Sequence, residues 1–397
     1  MVDDLAAQTA RAVDPDQVLE FARALIAAPS ENPGGTEDAS ADVASRILDS
    51  IGAKHTTIRS EAGRPSVVAS IGSGARPKLA WNGHLDVVPA GSPQTWDHGP
   101  WAGDIEDGRL VGRGAVDMKG GIAAALAAAA AVVRTSAPLT GTLDLHLVAD
   151  EELAGNHGTK VLRDKGFLDQ DLCVVGEPTE LQLALAERGG AWITVTARGI
   201  AAHGSQPHRG VNAITTMSRF LLRLPEVLPE ISHRLVGGPT VNVSLISGGS
   251  APNVVPDLCE ADIDRRVIPG ETDPRMVLAP FEELAERLRA EHPESDIQVK
   301  VREWTDAAEA TDGGGLFDIA EQAVLDETGR RPARVGFSGI TDGRFYINDA
   351  DIPTVILGPG SMTVAHTANE SVAVDELVAA ARIYARVFVR LLAPALP

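Results

Sequence analysis

Gly83-His84-Leu85-Asp86-Val87-Val88-Pro89, entered from the run Lys78-Leu79-Ala80-Trp81, is the stretch on which the reading of this chain turns. An apolar run of this length bounded by glycine describes a buried strand. His84 and Asp86 then emerge at its C-terminal end. Downstream, Gly112-Arg113-Gly114-Ala115-Val116-Asp117-Met118-Lys119-Gly120-Gly121 passes through a turn into an alanine-rich helix, with Asp117 just ahead of its start. Open α/β sheets place their chemistry at such strand ends. A histidine and carboxylates gathered there outline a metal site.

Residues 16–28 and 37–51 show helical periodicity, the second ending at Gly52. Strands are expected at 66–71 and 79–82, and a long loop rich in Gly, Pro and Trp at 89–107. A helix over 120–134, a strand over 142–149, a helix near 159–165 and a strand over 172–175 follow. Strands alternating with helices imply an α/β fold, a mostly parallel sheet sandwiched by helices. Around Gly189 the texture changes to strand, helix, two strands, helix, strand: 191–197, 212–224, 240–246, 259–267, 274–290 and the stretch beyond. That is the β-α-β-β-α-β order of a ferredoxin-like α+β domain. After Trp304 the α/β texture returns, with a strand at 354–357 and an amphipathic helix at 375–392. The expected division is a larger domain made of 1–188 and 304–397, with 189–303 inserted into it.

Composition narrows the function classes. The 397 residues are 44% hydrophobic and 23% charged, and 35 Lys and Arg against 55 Asp and Glu give a net charge of −20. Such a surface repels polyanions, so neither nucleic acid nor an anionic membrane is an expected partner. Cys173 and Cys259 each lie in an expected strand and read as buried thiols. The first residues lack a signal peptide's basic and apolar regions, and the uncharged run 122–133 is too short to span a bilayer. A cytoplasmic location is expected.

Further carboxylates end further strands. Asp150-Glu151-Glu152 follows 142–149, Gly176-Glu177-Pro178-Thr179 follows 172–175, and a late histidine lies in Ala365-His366-Thr367-Ala368-Asn369-Glu370. Taken singly, an Asp or Glu at a strand end is most often a helix cap or a solvated group. Five such coincidences at one rim are jointly improbable. Together they make a mixed nitrogen and oxygen set in which one carboxylate could bridge two ions, each with a histidine and a further carboxylate. Zinc suits these donors, with cobalt or manganese tolerated. Asp86 is close enough in sequence to hydrogen-bond the second ring nitrogen of His84.

These motifs, with Ala202-His203-Gly204-Ser205, occur in one order along nearly the whole chain. The set resembles the co-catalytic zinc deacylase and peptidase family, which includes acetylornithine deacetylase, succinyl-diaminopimelate desuccinylase, aminoacylase and carboxypeptidase G. The resemblance implies a hydrolase of amino-acid biosynthesis whose catalytic domain carries two zinc ions and whose smaller lid domain joins two chains in a homodimer. Asp117 would bridge the metals, His84 and Glu177 would hold one, and Glu152 and His366 the other. Glu151 would be the general base, Asp86 the partner behind His84, and the Asp117-Met118 peptide cis. His203 would reach the other protomer's active site and stabilise the oxyanion. Asn253, Arg266 and Gly339 match substrate-proximal positions, Arg266 being suited to a carboxylate by its planar fork.

Two departures bear on the substrate. Where the desuccinylase branch commonly reads Arg-Arg-Gly-Ser, this chain has Glu187-Arg188-Gly189-Gly190; where it reads Gly-Gly-Thr-Ser-Asp-Gly-Arg, this chain has Ser338 to Arg344. A lost cation and two lost hydroxyls weaken the grip on a succinyl carboxylate. The expected activity is therefore hydrolysis of a small N-acylated amino acid, of N-acetylornithine or N-succinyl-diaminopimelate type, with the acyl group open. The alternatives are a dizinc exopeptidase acting on dipeptides, a carboxypeptidase G-like enzyme, and a non-catalytic binding protein of the same fold. The presence of both ligand sets and Glu151 argues against the last, because a scaffold has no use for a base.

Overall fold

Every residue from Leu79 to His84 is buried, and the Lys78–His84 strand accordingly lies inside a sheet. Its neighbours Thr142–Val148 and Leu172–Val175 are buried throughout and run parallel to it, with Trp81 opposite Leu145 on one side and Val174 on the other. Thr354–Ile356 extends the parallel set beyond Leu172–Val175. Strands covered on both faces read as continuous apolar runs, which is why these were visible in the sequence. The margins are antiparallel: Lys54–Arg59 and Pro65–Gly72 on one side, Leu183–Glu187 on the other. The fold is thus α/β with a mostly parallel centre.

The computed structural model describes residues 2–34 and 36–393. They fall into two units, the first made of the chain up to Leu185, Ala310–Val335 and the chain from Thr341, the second of Ala186–Glu309 and Gly336–Ile340. In the first unit, residues 119–132 of the Lys119–Arg134 helix are all buried. Its alanines and glycines permit that closeness. A Cβ on Gly120 would lie 2.2 Å from the Ala115 carbonyl oxygen, and one on Gly121 2.7 Å from that of Gly176. The Val374–Leu392 helix packs along it. Tyr384 of that helix meets the fully buried Trp81 ring edge-on at 5.6 Å.

The 89–107 loop is less irregular than its composition implies. Asp104–Glu106 and Arg109–Val111 form a small antiparallel sheet with Ser371–Ala373. Their partner lies far along the chain, so no local pattern announces it. Lys54–Arg59 escaped for a different reason: as an edge strand of mostly exposed residues it shows no apolar alternation.

In the second unit, Gly189–Arg198, Ala213–Leu222, Thr240–Gly248, Leu258–Val267, Pro274–Glu291 and Asp296–Thr305 follow in the expected order. The four strands form an antiparallel sheet in the spatial order 240–248, 258–267, 189–198, 296–305. Ala191, Ile193, Val195 and Ala197 alternate inward onto Phe220, Phe281, Leu284 and Leu288. The edge strand Thr240–Gly248 is exposed almost throughout, Leu245 and Ile246 included. Both cysteines are buried and unpaired. Among the described residues, no helix is long and apolar enough to cross a membrane.

Candidate metal centre

Strand and helix ends of the first unit deliver a compact set of side chains. His84 is the last residue of its strand, and Asp117 lies just before the Lys119–Arg134 helix. Glu151 and Glu152 follow the Thr142–Val148 strand through Asp150, whose φ of +67° turns the chain sharply. Glu177 lies just past Leu172–Val175, and His366 sits in the loop before Ser371–Ala373.

The two oxygens of Asp117 face different histidines. Oδ1 is 2.9 Å from His84 Nε2, and Oδ2 is 3.1 Å from His366 Nε2. Glu177 Oε1 lies 3.6 Å from His84 Nε2, and Glu152 Oε2 lies 3.3 Å from His366 Nε2. Glu151 Oε2 stands 3.9 Å from His84 Nε2. The His84 ring is held from behind. Its Nδ1 is 2.9 Å from the Asp86 backbone carbonyl and 3.5 Å from Asp86 Oδ1. The expected hydrogen bond to Asp86 is therefore made chiefly through its peptide oxygen. The Asp86 carboxylate instead accepts the Glu151 and Glu152 backbone N–H groups, both at 3.2 Å, and the Asn32 side-chain amide at 2.9 Å. Asp86 thus orients the turn that carries both glutamates.

Like charges in a buried space set the electrostatics. Burial, reinforced by the other carboxylates, pushes the Glu151 and Glu177 carboxyls well above the usual range, and Glu152 upward. Burial also opposes charge on His84, yet its contacts with Asp117 and Asp86 prevail and raise it well above an ordinary histidine. Hydrogen bonds to Asp117 and Glu152 lift His366 to about 10. For Asp117 the two imidazoles outweigh burial, and its carboxyl falls below the ordinary range.

The donor set fits a pair of divalent cations. Two imidazoles and four carboxylates converge, and among the described residues no lysine or arginine is paired with any of those four. His84, Glu151 and Glu177, and likewise His84, Asp117 and Glu152, offer ligand atoms all within 4.8 Å of one another. Oxygen and imidazole donors in this proportion suit zinc and its neighbours.

The family model for peptidase family M20/M25/M40 matches residues 80–390. The chain belongs to that family. As a member of M20/M25/M40 it is a metal-dependent hydrolase acting on amide bonds. It is 32% identical over 374 residues to a succinyl-diaminopimelate desuccinylase of Cereibacter sphaeroides, covering 91% of this chain and 96% of that one. Human carnosine dipeptidase 1 shares the fold with a TM-score of 0.78 at 17% identity, over 98% of both chains. A Bacillus subtilis dinuclear metal-binding M20 peptidase does so with a TM-score of 0.72 at 16% identity, over 95% of this chain and 98% of that one.

The remaining candidates of this M20/M25/M40 chain lie in the second unit. His203 is exposed, its Nδ1 2.8 Å from Ser205 Oγ, and it bridges to Val254 beside Asn253. Arg266 Nη2 lies 3.0 Å from Asp264. Gly339 belongs to the short 336–340 segment of that unit. In the first unit, the Asp117-Met118 peptide is cis. Sequence reasoning missed the groups behind the cluster: Asn32, which bonds both Asp86 and Asp150, and the buried pair of Arg113 and Glu370. Arg113 and Glu370 stand inside two of the quoted motifs, but nothing local reveals that they meet.

Proposed function

We propose that this protein removes the acyl group from a small N-acylated amino acid, with an N-succinyl amino dicarboxylate as the first substrate to try. The chief support is Asp117, whose two oxygens face two histidines each accompanied by its own glutamate, with Glu151 alongside. The name of the Cereibacter sphaeroides relative supports the acyl class. In this reading His84 and Glu177 hold one cation, Glu152 and His366 the other, and Asp117 both; zinc is the expected metal. When bound, such a pair supplies an acidified water and polarises the scissile carbonyl.

The chain's own residues do the rest. Glu151 takes the proton from the attacking water and gives it to the departing nitrogen, which could not leave as an anion. Asp86 holds the Glu151–Glu152 turn through its two backbone hydrogen bonds. The second unit is the proposed lid and dimerisation domain, its exposed Thr240–Gly248 edge available for pairing with a second chain. His203 would donate to the oxyanion across that dimer, and Arg266, with Asn253 and Gly339 near the substrate, would grip a carboxylate.

The test is a panel of N-succinyl, N-acetyl and N-formyl amino acids and dipeptides, run with wild type and Glu151→Ala. An N-acyl amino acid should give the highest kcat/KM, and the variant should keep its metal while losing about 10²–10⁴-fold in kcat. Preference for dipeptides would replace the deacylase reading with an exopeptidase one.

A further inference from the structure

The two histidines of the centre are held very differently. The His84 side chain is 1% exposed and wedged inside the sheet, whereas that of His366 is 46% exposed. Packing alone does not place His366, so the loop carrying it must be anchored elsewhere. Asn369 ties it to Asp97 at the surface, and its buried anchor is Glu370, which is fully buried. Its Oε1 accepts the backbone N–H groups of Val116 at 2.8 Å and Asp117 at 3.1 Å, and its Oε2 accepts Arg113 Nη1 at 2.5 Å. Arg113 in turn donates to the Thr367 carbonyl at 3.2 Å and the Pro89 carbonyl at 3.4 Å, and lies over the Trp96 ring at 5.3 Å. The Glu370 carbonyl accepts the Gly112 N–H at 2.9 Å. One carboxylate therefore ties the backbone of Asp117 to the loop bearing His366.

We infer that Glu370 is a positioning residue that fixes the spacing between Asp117 and His366, and so governs occupancy of the cation position shared by Asp117, Glu152 and His366. The inference rests on the two-cation reading above. Loss of the Glu370 carboxylate removes the tie between the Asp117 backbone and the His366 loop and leaves Arg113 buried without its partner. The other position shares Asp117, but its own two ligands, His84 at a strand end and Glu177 just past one, have no bond to Glu370. Groups behind a metal site that orient its ligands commonly govern affinity in this way.

The experiment is calorimetric titration of metal-free full-length protein with Zn²⁺, repeated with Co²⁺ followed by absorbance. Wild type should bind in two steps. Glu370→Ala should keep the first step within about twofold and weaken the second about 10–100-fold, with Glu370→Gln between the two because it retains an acceptor for the backbone N–H groups. Both steps unchanged, or both weakened alike, would overturn the inference, the latter marking a general collapse of the turn. Should Glu370→Ala fail to fold by circular dichroism, Glu370→Gln decides by the same split. Wild type taking up fewer than two ions would sink the two-cation reading itself, a result separate from any effect of Glu370.

Discussion

His146 is a fully buried imidazole in the middle of the Thr142–Val148 strand, and the proposed chemistry does not use it. Its Nδ1 is 2.7 Å from the Tyr346 hydroxyl, and burial lowers its pKa from 6.5 to about 4. The folded chain thus resists a proton that the unfolded chain accepts. Stability from this group is fully present above about 6.5 and is lost as pH falls through about 4, amounting to about 3 kcal/mol. His146→Gln should flatten the fall in urea-unfolding free energy between those pH values relative to wild type; equal slopes would show that the imidazole is already charged in the fold. The sequence was most informative where a residue ends a buried strand, as His84 does, or closely follows one, as Glu177 does. It was silent where function depends on partners distant in sequence. Glu370 and Arg113 meet across 257 positions, and Asn32 reaches Asp86 across 54. A buried ion pair leaves no periodic trace in either of its segments.

Elements position the site by approaching closely, and the Lys119–Arg134 helix shows how. Its glycines stand where a methyl group would strike backbone carbonyls, Ala115 at Gly120 and Gly176 at Gly121. Gly176 precedes Glu177, so the helix start and one ligand-bearing strand end are packed against each other. Gly120→Ala should lower the unfolding free energy by about 1–3 kcal/mol through overpacking, despite alanine's better helix propensity. A thermal-melting increase in that variant would mean the helix has room to shift. The central strands and this helix were legible because burial on all sides writes long apolar runs. Lys54–Arg59 and Asp104–Glu106 were not, since exposed or very short strands take their identity from a partner.

In the whole molecule, whose net charge is −20, four carboxylates converge with two imidazoles and, among the described residues, with no lysine or arginine paired to any of the four. The proposed dimer has its own consequence. His203→Ala mixed with an Asp117→Ala chain should regain activity if His203 serves the neighbouring protomer, and a mixture as inactive as its components would assign His203 a role within its own chain or unit. Both the dimer test and the chemistry presuppose that His84, Asp117, Glu152, Glu177 and His366 form one site for two cations. The decisive measurement is elemental analysis of dialysed protein, wild type against Asp117→Ala. Wild type should hold two zinc-class ions per chain and the variant lose at least one; undiminished binding of both by Asp117→Ala, or none by wild type, would exclude such a site.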